Sequence, residues 1–212
     1  MALMNDEVLL IGGTSVVAHA LAREYARNGW NVIFAGRDQA ELQRSVKDIT
    51  IRHGTKNRSL HFDAIDPASV DAAAAELLKA AALPRDMIFM IGDSDDSHQA
   101  VYDPVLADRI LAANYTGTIR FLSRLLLRIG ADRGYRIVLV SSIAGDRGRR
   151  TNFIYGAAKA ALNTYAQGLR ALLLPRGTSV LTVKLGYVDT RLAFGKTPAV
   201  ITCSPAYAAS AI

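Results

Sequence analysis

Tyr155-Gly-Ala-Ala-Lys159, preceded by Ser142-Ile-Ala-Gly145, sets a phenol, an ammonium and a hydroxyl near one another in the chain. On one helix, residues four apart share a face, so Tyr155 and Lys159 would stand side by side. A phenol titrates near pH ~10, too high for proton exchange at neutrality. A cation held close favours the phenolate and lowers that value. A drop of ~3 units corresponds to ~4 kcal/mol of differential stabilisation, within reach of a desolvated cation. A hydroxyl such as that of Ser142 can then hold a substrate oxygen. Such a set can give or take a proton at a carbonyl or an alcohol. Taken alone, Tyr-x-x-x-Lys is more often an ordinary pair on a helix face.

The elements that must position these groups alternate along the chain. Val8 to Gly12 reads as a strand, and Ser15 to Asn28 as a helix stopped by Gly29. Asn31 to Ala35 is a second strand, and Asp38 caps a helix running to about Arg52. Ser59 to Asp63 is a third strand, and Asp66-Pro67 opens the next helix. Asp86 to Ile91, Arg136 to Ser141 and Ser179 to Leu185 complete six strands. Long helices are expected over Pro104 to Ile129 and Asn152 to Leu174. The strands are apolar runs without clean alternation, as when both faces are covered. Strand–helix repetition of this kind predicts a doubly wound parallel sheet with helices on both sides, in a single α/β domain over residues 1–212.

In such a sheet the ligand lies beyond the carboxyl ends of the strands. The first strand ends in Gly12-Gly13-Thr14-Ser15-Val16-Val17-Ala18. Glycine there lets backbone amides approach a pyrophosphate at a helix N-terminus, although a tight turn without a ligand uses glycine equally well. The second strand ends in Ala35-Gly36-Arg37. An acid at that point would grip a ribose 2′-hydroxyl. Glycine followed by arginine leaves room and charge for a 2′-phosphate, so NADP(H) is expected over NAD. Asp63 could accept from an adenine amino group or serve as a turn residue ahead of the next helix.

With 212 residues and half of them hydrophobic, the chain can bury a sizeable core. It has no apolar run of membrane-spanning length. Asp6 and Glu7 precede the first apolar run, so no signal peptide is expected. The lone Cys203 excludes an internal disulfide and fits a reducing cytoplasm. The net charge of +6 favours anionic ligands such as phosphates, or a peripheral contact with an anionic membrane surface. No Lys/Arg block is interleaved with aromatics, so no nucleic-acid partner is expected. Asp93, Asp95, Asp96 and His98 fit no calcium-loop spacing and read as a solvated loop, and no metal is expected.

Together these signals resemble a short-chain dehydrogenase/reductase, a family with a three-layer Rossmann-type fold. The glycine turn at Gly12, Asn114, Ser142, Tyr155-x-x-x-Lys159 and Gly186-Tyr187-Val188-Asp189-Thr190 occur in the family's order over residues 8 to 195. The resemblance implies that Tyr155 is the acid/base and that Lys159 holds the nicotinamide ribose and tunes the phenol. Ser142 would orient the substrate oxygen, and Asn114 would bend the long helix and anchor a water of the proton relay. Gly12, Thr14, Ser15, Val17, Arg37, Asp63, Gly92, Val188 and Thr190 would join Tyr155 and Lys159 around the cofactor. A homodimer or homotetramer is expected by the same analogy. Ser142-Ile-Ala-Gly-Asp-Arg147-Gly-Arg149-Arg150 further resembles the branch of decaprenylphosphoryl-2-keto-arabinose reductases. That branch implies a polyprenyl-phosphate-linked keto-sugar substrate. Arg147, Arg149 and Arg150 could then receive the phosphate, or could be a solvated basic loop or a subunit salt-bridge patch.

The chain also departs from the family. Val16 and Ala18 stand where glycines are usual, and a β-branched residue takes positive φ only at a cost. Ile91-Gly92-Asp93-Ser94 replaces the usual Asn-Asn-Ala-Gly, and Leu185 replaces a proline. A family member normally continues further, and this chain stops at Ile212 before a seventh strand is read, which leaves a trimmed, a naturally short or a disordered tail open. These departures keep a rival open: a dinucleotide-binding regulator with the fold but no turnover.

Overall fold

The computed structural model describes residues 6–94, 98–131, 134–190 and 202–212. Six parallel strands make the central sheet: β1 (Glu7–Ile11), β2 (Asn31–Gly36), β3 (Arg58–His61), β4 (Asp86–Phe89), β5 (Arg136–Ser142) and β6 (Ser179–Leu185). Their spatial order is β3-β2-β1-β4-β5-β6. The chain first builds outward from β1 to β3, then returns to the other side of β1 for β4 to β6. That reversal opens a crevice at the carboxyl ends of β1 and β4, where ligands of such sheets bind. Ile11 lies beside Ala35 on one side and Phe89 on the other, and Ser142 lies beside Leu185. The segments after β1, β2, β4, β5 and β6 therefore all leave the sheet along one edge.

Both faces of the sheet are apolar because alternate residues of each strand feed opposite cores. Val8 and Leu10 of β1, with Val138 and Val140 of β5, pack against α1 (Val16–Arg27) and α2 (Gln39–His53). Leu9, Ile11, Ile137 and Leu139 face α3 (Pro67–Leu78) together with two long helices of the second half. The helix starts are set by side-chain caps: Ser15, Asp38 and Asp66 each accept from a backbone N–H of the first turn. Pro67 occupies a first-turn position of α3, where a missing N–H costs nothing.

The expected helix from Pro104 to Ile129 is broken. It consists of α4 (Pro104–Leu111), one π-helical turn (Ala112–Thr116) and α5 (Gly117–Ala131). The Asn114 amide donates to the Ile110 carbonyl at 2.8 Å, inserting a side chain into the backbone ladder. Helix α6 spans Phe153–Leu173. β4 stops at Phe89, two residues before the expected Ile91, because its neighbour β1 ends at Ile11 and turns away at Gly12. The Met90 amide makes the last bond to β1, to the Ile11 carbonyl at 2.8 Å. β3 ends at His61 and not Asp63, whose amide donates to the Ser69 hydroxyl. A short pair, β7 (Tyr187–Val188) with β8 (Thr202–Cys203), stands apart from the main sheet. A last helix, α7 (Pro205–Ser210), packs on α1 through Ala208 and Ala209. Ser204 caps it and Pro205 stands in its first turn.

Candidate active site

The turn after β1 has to double back without side chains. Gly12 has φ +87°, and a Cβ there would lie 3.0 Å from the Met90 carbonyl oxygen. The amides of Gly12 and Gly13 both donate to the Ala35 carbonyl, at 3.0 and 2.9 Å. This pins the turn so that Ser15 caps α1 through the Ala18 amide at 3.0 Å. Val16 is the first residue of α1, half exposed, and among the described residues no non-glycine takes positive φ. The expected strain at Val16 is therefore absent, because the turn needs that freedom only at Gly12. Thr14 is exposed and Val17 is buried in the first turn of α1. The result is a helix N-terminus presented beneath a bare glycine turn, which fits a dinucleotide pyrophosphate.

At the end of β2, Arg37 is exposed, and no carboxylate pairs with it among the described residues. Asp63 accepts from the Ile65 amide at 3.1 Å, so one of its carboxylate oxygens serves as a turn anchor. Gly92 is exposed in the segment after β4. Val188 is buried in β7, and Thr190 follows it half-buried.

The structure brings Ser142, Tyr155 and Lys159 together. Ser142 ends β5 and caps the turn that follows, its hydroxyl accepting from the Ala144 amide at 3.1 Å. Helix α6 sits flush on that turn because Gly156 has no side chain: a Cβ there would lie 2.6 Å from the Ala144 carbonyl oxygen. Tyr155 is 8% exposed, and its phenol lies near the Ser142 hydroxyl. Burial pushes the phenol above its ordinary value, and the Ser142 hydroxyl pulls it partway back. That is opposite in sign to the expectation of a phenol lowered by its neighbour. The Lys159 ammonium lies 5.6 Å from the centre of the Tyr155 ring, and is held elsewhere. It donates to the carbonyls of Ile91 at 2.8 Å and Val140 at 3.2 Å. Burial pushes Lys159 down to about 8.

Asn114 is 1% exposed on the π turn. Its amide donates to the Asp93 carbonyl at 2.8 Å and its oxygen accepts from the Asp93 amide at 3.2 Å. Asp93, dismissed in the sequence as part of a solvated loop, is thus built into the site. The acidic neighbours Asp95 and Asp96 lie outside the described residues. Sequence reasoning also missed Ile91 and Val140, whose contribution is a main-chain carbonyl and carries no residue-type signal.

The loop between Ser142 and Tyr155 is tied to the far side of the mouth. Lys184 pairs with Asp146 at 2.6 Å, and Arg149 donates to the Tyr187 hydroxyl at 3.3 Å. Arg147 and Arg150 are exposed, and neither pairs with a carboxylate among the described residues.

A family model for short chain dehydrogenases matches residues 6–199. An uncharacterized oxidoreductase of Streptomyces coelicolor is 33% identical over 186 residues, covering 85% of this chain and 72% of that protein. Among solved structures, a short-chain dehydrogenase from Sphingobium yanoikuyae in complex with NADPH aligns with TM-score 0.86 at 22% identity, over 97% of this chain and 82% of that one. A bulky-bulky ketone specific alcohol dehydrogenase from Comamonas testosteroni aligns with TM-score 0.86 at 20% identity, over 97% and 80%. The family match over residues 6–199 and the relative at 33% identity show the family: the chain belongs to the short-chain dehydrogenase family of oxidoreductases.

Proposed function

We propose that the protein is an NADP(H)-dependent oxidoreductase that interconverts a ketone and a secondary alcohol. The carrying observation is the buried phenol of Tyr155, standing near the Ser142 hydroxyl and beside Lys159 at the carboxyl edge of the sheet. When bound, the nicotinamide supplies the hydride. Ser142 holds the carbonyl oxygen of the substrate. Tyr155 gives that oxygen its proton, and burial keeps the phenol protonated at neutral pH for this purpose. Lys159 holds the cofactor ribose with an ammonium oriented by the Ile91 and Val140 carbonyls. Gly12, Thr14, Ser15 and Val17 cradle the pyrophosphate, and Asp63, Gly92, Val188 and Thr190 border the rest of the cofactor. Arg37 takes the 2′-phosphate, which favours NADP(H). The NADPH of the Sphingobium yanoikuyae structure is in line with that preference.

The substrate we favour is a keto-sugar or another polar carbonyl compound bearing an anionic group, in line with a polyprenyl-phosphate-linked sugar. Arg149 is drawn to the mouth by Tyr187, and Arg147 and Arg150 flank it with free charge among the described residues. Against a non-catalytic sensor, Val16 sits in α1 without positive φ, and Asn114 holds the main chain of Asp93 on both its amide and its carbonyl. The test follows NADPH absorbance with paired neutral and phosphorylated ketones. Turnover with preference for the phosphorylated member is expected. NADPH binding without oxidation of cofactor by any ketone would overturn the reading.

A further inference from the structure

The segment Ile91–Ser94 lies beyond the last strand bond of β4, so the sheet does not hold it. Yet the Ile91 carbonyl in this segment is one of the two that orient Lys159. The Ile91 side chain packs against the core, and the π turn and α4 hold the chain that follows it. Asn114 grips the main chain of Asp93 on both its amide and its carbonyl. Arg109, in the last turn of α4, grips the side chain, its guanidinium 2.9 Å from the Asp93 carboxylate. Asn114 also holds the Ile110 carbonyl, one residue after Arg109, so both grips come from one continuous piece of backbone. The Asp93 side chain is 18% exposed and that of Arg109 is 44% exposed.

We propose that the Arg109–Asp93 ion pair is a positioning clamp for the catalytic ammonium: it fixes the Ile91–Asp93 segment so that the Ile91 carbonyl holds Lys159 in register with Tyr155. The inference rests on the reading of Tyr155 and Lys159 as the proton-transfer pair. Neither Arg109 nor Asp93 touches the reacting groups, and both act through the segment between β4 and α4. The clamp also gives the Ile91-Gly92-Asp93-Ser94 departure a physical role: a carboxylate anchored to a helix arginine secures the segment. An ion pair this exposed adds little to global stability. Its loss therefore registers at Lys159 and not in the melting temperature.

The full chain is labelled with 13C-lysine, and the Lys159 side-chain signal is assigned by its loss in Lys159→Met. Arg109→Ala, Arg109→Lys and Asp93→Asn are compared with the wild type by NMR, by thermal melting and by ketone reduction at saturating NADPH. The expected result is a displaced Lys159 signal in Arg109→Ala and Asp93→Asn, with kcat lowered roughly 10-fold, as for other positioning contacts removed from an active site. The ketone KM and the melting temperature stay near wild type, and Arg109→Lys recovers most of both the signal and the rate. Asp93→Asn, nearly isosteric, carries the test if Arg109→Ala unfolds. An unmoved Lys159 signal in Asp93→Asn overturns the clamp. A signal that moves in these variants, when the wild type itself reduces no ketone, supports the clamp and counts against the proposed reaction alone.

Discussion

The ammonium of Lys159 donates to the carbonyl oxygen of Ile91 at 2.8 Å, joining two residues 68 positions apart. The bond ties the segment that follows β4 to α6, the helix between β5 and β6. It also sets a balance of opposing effects. Burial disfavours the charged amine, and the two carbonyls favour it. With the group pushed down to about 8, the cation still predominates at neutral pH, but by a narrower margin than for a solvated lysine.

That balance predicts a pH-dependent stability. Lys159 in the folded chain binds its proton less tightly than in the unfolded chain, whose ordinary value is 10.5. Between about pH 8 and 10.5 the unfolded state carries more protons at this site, so stability rises with pH across that window. The full effect is about 3 kcal/mol. Urea melts of wild type and Lys159→Met at pH 7.5 and pH 10 (~2.5 units apart) test it, with the wild type gaining relative to the variant. A constant difference between the two proteins would refute the account of the buried amine.

Tyr155→Phe removes the proton donor and leaves the ring. A loss of roughly 10²- to 10⁴-fold in kcat is expected, with NADPH affinity within about twofold of wild type. In the wild type, ketone reduction should slow as pH rises through the phenol's titration, because only the neutral phenol donates. Steady-state kinetics from neutral to alkaline pH check both outcomes.

Arg37→Ala should weaken NADPH binding by roughly 10-fold or more, about 1.4 kcal/mol, through loss of a charge-assisted phosphate contact. NADH binding should be unchanged, since NADH lacks the 2′-phosphate. Fluorescence titration with both cofactors separates this from a general loss of fold. Equal weakening for both would remove Arg37 from the 2′-phosphate.

Gly156→Ala places a methyl group 2.6 Å from the Ala144 carbonyl oxygen if nothing moves. The collision lifts α6 off the turn that Ser142 caps. A destabilisation of about 1–3 kcal/mol is expected, as for overpacking elsewhere, together with a drop in kcat as Tyr155 moves from Ser142. Thermal denaturation and turnover of the same preparation report the two effects. Gly148→Ala, where a Cβ meets nothing within 4 Å, is the neutral control.

Arg149→Ala combined with Arg150→Ala should raise KM for a phosphorylated ketone by about 10-fold or more and leave KM for its neutral analogue unchanged. Equal KM changes for both compounds would assign these arginines to the loop's own architecture.

Much of the scaffold could be read in the chain because its signals are local. β6 has the expected bounds, the first strand shifts by one residue at both ends, and the second and fifth each run one residue further. Capping residues at Ser15, Asp38 and Asp66 marked helix starts through chemistry confined to one turn. The break in the long helix was invisible to periodicity, because it depends on Asn114 turning into its own backbone and reaching a loop 21 positions away. The early end of β4 likewise depends on where its neighbour β1 stops.

The sequence by itself determined the order of strands and helices, the bare turn at Gly12, and the presence of a phenol, an ammonium and a hydroxyl at family spacing. Each of those is a property of residue type and near-neighbour distance. Only the tertiary structure decided that Asp93 joins the site through Arg109 and Asn114, that Lys159 is held by two main-chain carbonyls, and that burial moves Tyr155 up and not down. These outcomes depend on desolvation and on carbonyl groups, which every residue possesses and only folding aims.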